Sequence, residues 1–313
     1  MEVTVVGALN WDVNIFVKHL PKPGEEEVAS KIERGPGGKG GNVAVAAARI
    51  LGPKKTALIS SLGKDEPGKK QLVFLHEDGV ETRGIKIIGN IESGQAFVTI
   101  DEQGNNVILT HFGANVHLTE EHIMEQEVQE LLGQSKLIVV ISPPRRVVSR
   151  ILSEAKRLRK ILMWHPGVLT RFGVEEWTTE LKDLDYLILN EHEAMTFTKT
   201  QNPEEAVAKI QNITRPTKII VTLGKNGAVC YSGKKITRVE AVSLEKMDLS
   251  VANTAGCGDA FVGAFSAYKT LGMTDEEALR YANMAGALKA TRVETRGSPT
   301  RNVLESAYKK YYF

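Results

Sequence analysis

The chain has 313 residues, of which 42% are hydrophobic and 25% charged, and its formal charge is +2. A chain this long buries a sizeable core, and a balance so near neutrality speaks against a nucleic-acid or membrane surface. Only Cys230 and Cys257 are present, far apart and without metal-ligand spacing, and the opening "MEVTVVGALN" carries an acid at position 2, unlike a signal peptide. A reduced, cytoplasmic protein is expected, with no run long and apolar enough for a membrane span.

In chain order, "VTVVGAL" (3–9) reads as a strand, and "EEEVASKIERG" (25–35) as a polar–apolar alternation. "NVAVAAARIL" (42–51) is helical, with Asn42 placed to cap it. "TALISSL" (56–62) is a strand and "EPGKKQLVFLHEDG" (66–79) a helix. "SGQAFVTIDEQGNNVILTHFG" (94–114) alternates again, divided by the turn signal "DEQGNN". "TEEHIMEQEVQELL" (119–132), "RRVVSRILSEAKRLRK" (145–160) and "PEEAVAKIQNI" (203–213) are helical. "KLIVVIS" (136–142), "ILMWHP" (161–166), "DYLILN" (185–190) and "KIIVTLG" (218–224) are strands. Three helices follow, in "GCGDAFVGAFSAYKTLG", "TDEEALRYANMAGALKA" and "TRNVLESAYKKY".

Strands apolar on both faces, alternating with helices, predict a layered α/β fold around a parallel sheet with right-handed crossovers. The two alternating segments each have a polar face. They suggest a small separate sheet, a lid or an association surface, with an ordinary edge extension as the alternative.

Ligands bind outside the carboxyl ends of parallel strands. Those ends read Asn10 and Asp12, Ser142, His165, Asn190 with Glu193, and Thr222 with Gly224. "GPGGKGGN" (35–42) contains a literal G-x-G-x-x-G at Gly35, Gly37 and Gly40, but the strand before it is amphipathic and no acid stands between Asn42 and Asp65. That weakens a dinucleotide fold. Neither "GGKGG" nor "LGKNG" places Ser or Thr after the lysine, so a Walker A loop fails as well. In "NTAGCGDAF" (253–261) two glycines and an acid open a helix. Bare amides there can hold an anion, and Asp259 beside them can act as a base; a tight turn near a helix dipole is the plainer alternative.

Taken in order, "GGKGGN", "NEHE", "TLGKNG" and "NTAGCGDAF" resemble the ribokinase-like, PfkB-type sugar kinases, from "GALNWDVN" to "TRGSPT". The resemblance implies one Rossmann-like α/β/α catalytic domain over 1–313, with lid strands inserted at about 11–35 and 94–114. By the same resemblance Asn10, Asp12, Gly38, Lys39 and Asn42 bind the sugar, and Thr222, Gly224, Gly227 and Asn283 the nucleotide. Asn190 and Glu193 organise magnesium and phosphate. Ala255, Gly256, Cys257 and Gly258 form the anion hole, with Asp259 the catalytic base at the open side of the helix start. Phosphoryl transfer rests on positioning and electrostatic stabilisation, which these residue types supply.

Three positions depart from the family pattern. Asn253 stands where an Asp helps form a monovalent-cation site, leaving potassium dependence open. Ile141 stands where ribokinases proper carry a sugar-binding Glu, and Cys257 where Ala is usual.

The function implied is a Mg2+-dependent transfer from ATP, or ADP, to the primary hydroxyl of ribose or a ribosyl compound. A nucleoside kinase and a ribose-1-phosphate kinase are family alternatives. A nicotinamide oxidoreductase and a non-catalytic sugar-binding protein are alternatives from other classes. Arg145 and Arg146 just beyond Ile141 would favour an anionic acceptor, unless they merely cover a helix; Trp11, Phe97 or Phe112 could instead stack on a base. The resemblance also implies a homodimer through the lid, with exposed strand edges as the physical reason.

Overall fold

A computed structural model describes residues 1–213 and 218–313. The chain begins in a central sheet with β1 (Val3–Gly7), then leaves it for β2 (Asn10–Phe16) and β3 (Lys31–Gly37). It returns through α1 (Lys39–Leu51) to β4 (Thr56–Gly63), and through α2 (Glu66–Glu77) to β5 (Ile85–Ile88). A second excursion forms the hairpin of β6 (Gln95–Ile100) and β7 (Asn106–His111). Helices α3 (Glu120–Met124) and α4 (Gln126–Gln134) then lead to β8 (Leu137–Ile141), and α5 (Arg145–Arg157) to β9 (Ile161–His165). The short α6 (Thr178–Leu181) precedes β10 (Tyr186–Asn190); α7 (Glu191–Thr198) and α8 (Pro203–Ile213) precede β11 (Lys218–Thr222). An antiparallel pair, β12 (Ala228–Ser232) and β13 (Lys235–Val239), is followed by α9 (Cys257–Thr270), α10 (Asp275–Ala290) and α11 (Arg301–Tyr312).

Among the described residues the central sheet runs β13-β12-β11-β10-β9-β8-β1-β4-β5, parallel from β11 to β5. Neighbouring side chains on its strands point to opposite faces, and each face is dry. Val5, Val139 and Ile188 pack with α1, α9, α10 and α11, whereas Val6, Val140 and Leu189 pack with α4, α5, α7 and α8. At roughly 1.5–3 kcal/mol per fully buried aliphatic side chain, these two cores are the main source of stability.

The alternating segments lie in a separate four-stranded sheet ordered β3-β2-β6-β7. Its hairpin turn is an Asx turn, in which Asp101 Oδ1 accepts from the amides of Gln103 at 2.9 Å and Asn105 at 2.8 Å.

Several expectations need correction. The first strand ends at Gly7, so Asn10 and Asp12 sit on β2 of the four-stranded sheet and not at a central strand end. Residues 25–30 are irregular, and the strand starts at Lys31. The helix expected over 119–132 is two helices, because Glu125 is extended and pairs with Lys86 and His122. The sequence reading contains no counterpart for strands β5, β12 and β13 or for helices α6 and α7. Asn42 does not cap α1: Gly38, at φ 86°, is the cap and the helix starts at Lys39. Finally, Gly35 and Gly37 belong to β3, antiparallel to β2, so no parallel strand precedes the glycine motif and the nicotinamide reading loses its only support.

Candidate active site

Strand β2 and the start of α1 lie close against one another. Gly38 makes this possible, since a Cβ there would come within 2.4 Å of the Asn10 backbone nitrogen and its φ suits glycine alone. Asn10 Oδ1 accepts from Asn115 Nδ2 at 2.9 Å, and Asn115 also holds both backbone groups of Leu9. Asp12 lies against Gly37 and close to Arg296. Burial pushes its carboxyl up to about 6, against the pull of the Arg296 guanidinium and the Thr295 hydroxyl.

Arg296, like Asn115, is a residue of the site that the sequence reading missed. It is 5% exposed, donates to the Gly37 carbonyl at 2.6 Å and to Asn42 Oδ1 at 3.3 Å, and leaves Nη1 without a hydrogen-bond partner among the described residues. Burial lowers its guanidinium to about 10, with Asp12, Asp78 and Asp259 opposing. Nothing in "TRGSPT" but the charge itself could have singled it out.

Asn42 carries the contact between the two halves of the site: its Nδ2 donates to Asp259 Oδ2 at 2.8 Å. Asp259 is only 8% exposed, so it is buried and not on an open side as expected.

Between these groups lie the ends of β8, β9, β10 and β11. Lys39 Nζ stands 3.9 Å from Glu193 Oε1, and His165 Nε2 stands 3.7 Å from Glu193 Oε2. Burial lowers the His165 imidazolium's pKa, with Glu193 opposing. Ser142 Oγ and His165 Nδ1 are buried without partners among the described residues, which marks a polar place for water or ligand. Asn190 and Glu193 form a capping box on α7: Glu193 N–H donates to Asn190 Oδ1 at 2.7 Å and Asn190 N–H to Glu193 Oε2 at 3.0 Å. Their pairing is therefore accounted for by helix capping, and Glu193 Oε1 remains turned to Lys39.

On the other side a cavity of about 680 Å³ is lined by Thr222, Gly224, Gly227, Asn283, Cys257 and Gly258 together with apolar groups such as Val242 and Phe261. Asn283 donates to the Glu240 carbonyl at 2.5 Å. Gly256 caps α9 at φ 83° with no side-chain cap. The amides of Gly256, Gly258 and Asp259 make no hydrogen bond among the described residues. Those of Ala255 and Cys257, expected in the anion hole, are taken by Asn253 Oδ1 at 2.9 Å and the Thr254 carbonyl at 3.2 Å. A Cβ at Gly256 would strike the Thr295 carbonyl at 2.2 Å, so backbone packing and not phosphate room demands that glycine.

The remaining candidates lie elsewhere. Arg145 pairs with Glu176 at 2.6 Å and stacks over Phe172, and Arg146 donates to the carbonyls of Val116 and Leu118, so neither supports an anionic acceptor. Ile141 is fully buried, and Trp11 is 8% exposed against Phe74. Phe97 and Phe112 remain exposed.

Residues 1–301 match the description "pfkB family carbohydrate kinase". The chain belongs to that family. As a member of the pfkB family it is a sugar kinase. It is 27% identical to a ribokinase of Bacillus subtilis over 97% of this chain and 98% of that protein. It is 27% identical to an ATP-dependent ribose-1-phosphate kinase of Halopiger xanaduensis over 97% of both. Its fold matches Arabidopsis thaliana ribokinase complexed with ribose and ATP at a TM-score of 0.87, with 26% identity and 98% of each chain covered. No described helix of this pfkB family member is long and apolar enough to cross a membrane.

Proposed function

We propose that this kinase transfers the γ-phosphoryl group of ATP to the primary hydroxyl of ribose or a ribosyl compound, with Asp259 as the base. The observation that carries the reading is the position of Asp259. Its carboxylate is bonded to Asn42 on the lid side, while the helix start it belongs to lines the 680 Å³ cavity. A sugar held by Asn10, Asp12 and Asn42 would present a hydroxyl to Asp259, and a nucleotide in the cavity would present its terminal phosphate to the amides of Gly256 and Gly258. Asp259 removes the hydroxyl proton as the oxygen bonds to phosphorus and the bond to the departing nucleoside diphosphate breaks. The amides hold the charge on the transferring group. Lys39, 3.9 Å from Glu193, would add a positive charge to the same space.

Magnesium fits this donor set as an ion that keeps most of its waters. No group of three His, Cys, Asp or Glu forms a cage among the described residues, and Mg2+ ordinarily takes one or two carboxylates plus phosphates. Glu193 would hold it through water, and the ion would neutralise phosphate charge. The four-stranded sheet serves as the lid over the sugar, and a cytoplasmic homodimer joined through it completes the reading. Exposed Phe97 and Phe112 favour a second acceptor class, a nucleoside whose base stacks on them.

A coupled assay over ribose, ribose 1-phosphate, nucleosides and fructose 6-phosphate, each with ATP and ADP, tests the reading. Fastest turnover is expected with ATP and a pentose acceptor. A strong preference for the hexose phosphate would overturn the acceptor assignment.

A further inference from the structure

Lys289 lies in the last turn of α10 and is 0% exposed, a rare state for a lysine. Its ammonium donates to the main-chain carbonyls of Asn253 at 2.9 Å and Arg292 at 3.4 Å, and it forms no ion pair among the described residues. Burial lowers its pKa, with Cys257, Glu294 and Asp259 opposing from further away. A buried charge satisfied chiefly by carbonyl dipoles is costly, so its place needs a reason.

That place is the junction behind the anion turn. Asn253 begins the segment that ends at Gly256, and Arg292 begins the segment that runs to Thr295, whose carbonyl packs on Gly256, and to Arg296. The same junction is tied by Asn253 Nδ2 to the Val293 carbonyl at 2.7 Å and by the amides of Ala252 and Asn253 to the Ala290 carbonyl at 2.8 and 3.0 Å. Oxygens from two loops around one monovalent charge are what an alkali cation would ask for.

We propose that Lys289 is a tethered monovalent cation: its ammonium fixes the 253–256 turn so that the Gly256 and Gly258 amides face the phosphate, and it makes an external potassium ion unnecessary. It is a positioning residue, since it touches the turn and not the reacting atoms. The inference rests on the kinase reading above. Its field also lies behind the amides, where low dielectric strengthens it.

Lys289→Met and Lys289→Ala are compared with the parent enzyme in sodium, potassium and methylammonium chloride at equal ionic strength. The parent is expected to show the same kcat and melting temperature in all three salts. Lys289→Met should lose roughly 10- to 100-fold in kcat, less than the loss of a direct anion-hole donor, with sugar KM little changed. Lys289→Ala should regain turnover and melt higher in potassium or methylammonium than in sodium.

Parent activity rising about tenfold when potassium replaces sodium would overturn the proposal, and this measurement stands even if both variants fail to fold. So would folded variants with undiminished kcat, or a loss in Lys289→Ala that neither cation restores, which would make Lys289 a structural staple only. The melting series needs no turnover. A parent enzyme inactive on every acceptor would thus sink the kinase reading, while the salt-dependent melting of Lys289→Ala still decides the cation place.

Discussion

Asp259 accepts from Asn42 through one carboxylate oxygen and sits within the first turn of α9. Asparagine in its place keeps the shape and one acceptor oxygen for Asn42 but removes the base. Asp259→Asn should therefore lower kcat by roughly 10²- to 10⁴-fold with the melting temperature little moved, and a folded variant with parental turnover would exclude Asp259 as the base. Asp12 gives a pH signature. Its carboxyl titrates near 6 instead of the ordinary 3.8, because burial outweighs Arg296 and Thr295. The folded protein therefore keeps this proton to higher pH than the unfolded chain, so the carboxyl's contribution to stability falls as pH rises from 3.8 to about 6. Sugar hydroxyls donate to the ionised form, and sugar KM should fall as pH rises through about 6. Asp12→Asn should flatten that dependence; an unchanged profile would place the titrating group elsewhere. Most of the candidate residues were legible because glycines, amides and acids at fixed spacing are visible in a string. Arg296 was not, since its part comes from being folded under Gly37 and Asn42, more than 250 positions away.

At the level of elements, β7 stands out: all six of its residues are exposed, with Val107 at 51%, Ile108 at 58% and Leu109 at 68%. Among the described residues it pairs with β6 on one side only, and an apolar edge of this kind recruits another strand. Ile108→Lys should convert a dimer to a monomer in light scattering while leaving the melting of the central domain unchanged; a parent chain already monomeric at working concentration contradicts the lid-mediated dimer. Element reading from sequence failed where tertiary contacts compete with local pattern. Glu125 is extended and divides an amphipathic run, and its carboxylate pairs with Lys86 and with the buried His122. The α1 start moved from Asn42 to Gly38 for a related reason, since the Asn42 side chain is bonded to Asp259 and Arg296 and not to its own helix end. Strands β5 and β13 are short and mostly polar or half-exposed, so they lack the doubly apolar signature of the central strands.

Over the whole molecule, strands apolar on both faces and helices between them leave one economical solution, a covered parallel sheet, and the observed sheet order realises it. Parallel register then lines up the strand ends: Ile141 stands beside His165, and Asn190 beside Thr222. A ligand site along that line follows from topology. The sequence by itself determined the layered α/β class, the separate polar-faced sheet and the run of glycines and acids that names the chemistry, because periodicity and residue type are local properties of a chain. Only the tertiary structure decided that Asp259 is buried against Asn42, that the amides of Gly256 and Gly258 and not those of Ala255 and Cys257 stay free, and that Arg296 and Lys289 stand behind the site. Each of those depends on which distant backbone groups reach a side chain first, and hydrogen-bond competition at that range is settled only once the sheet and its helices have closed.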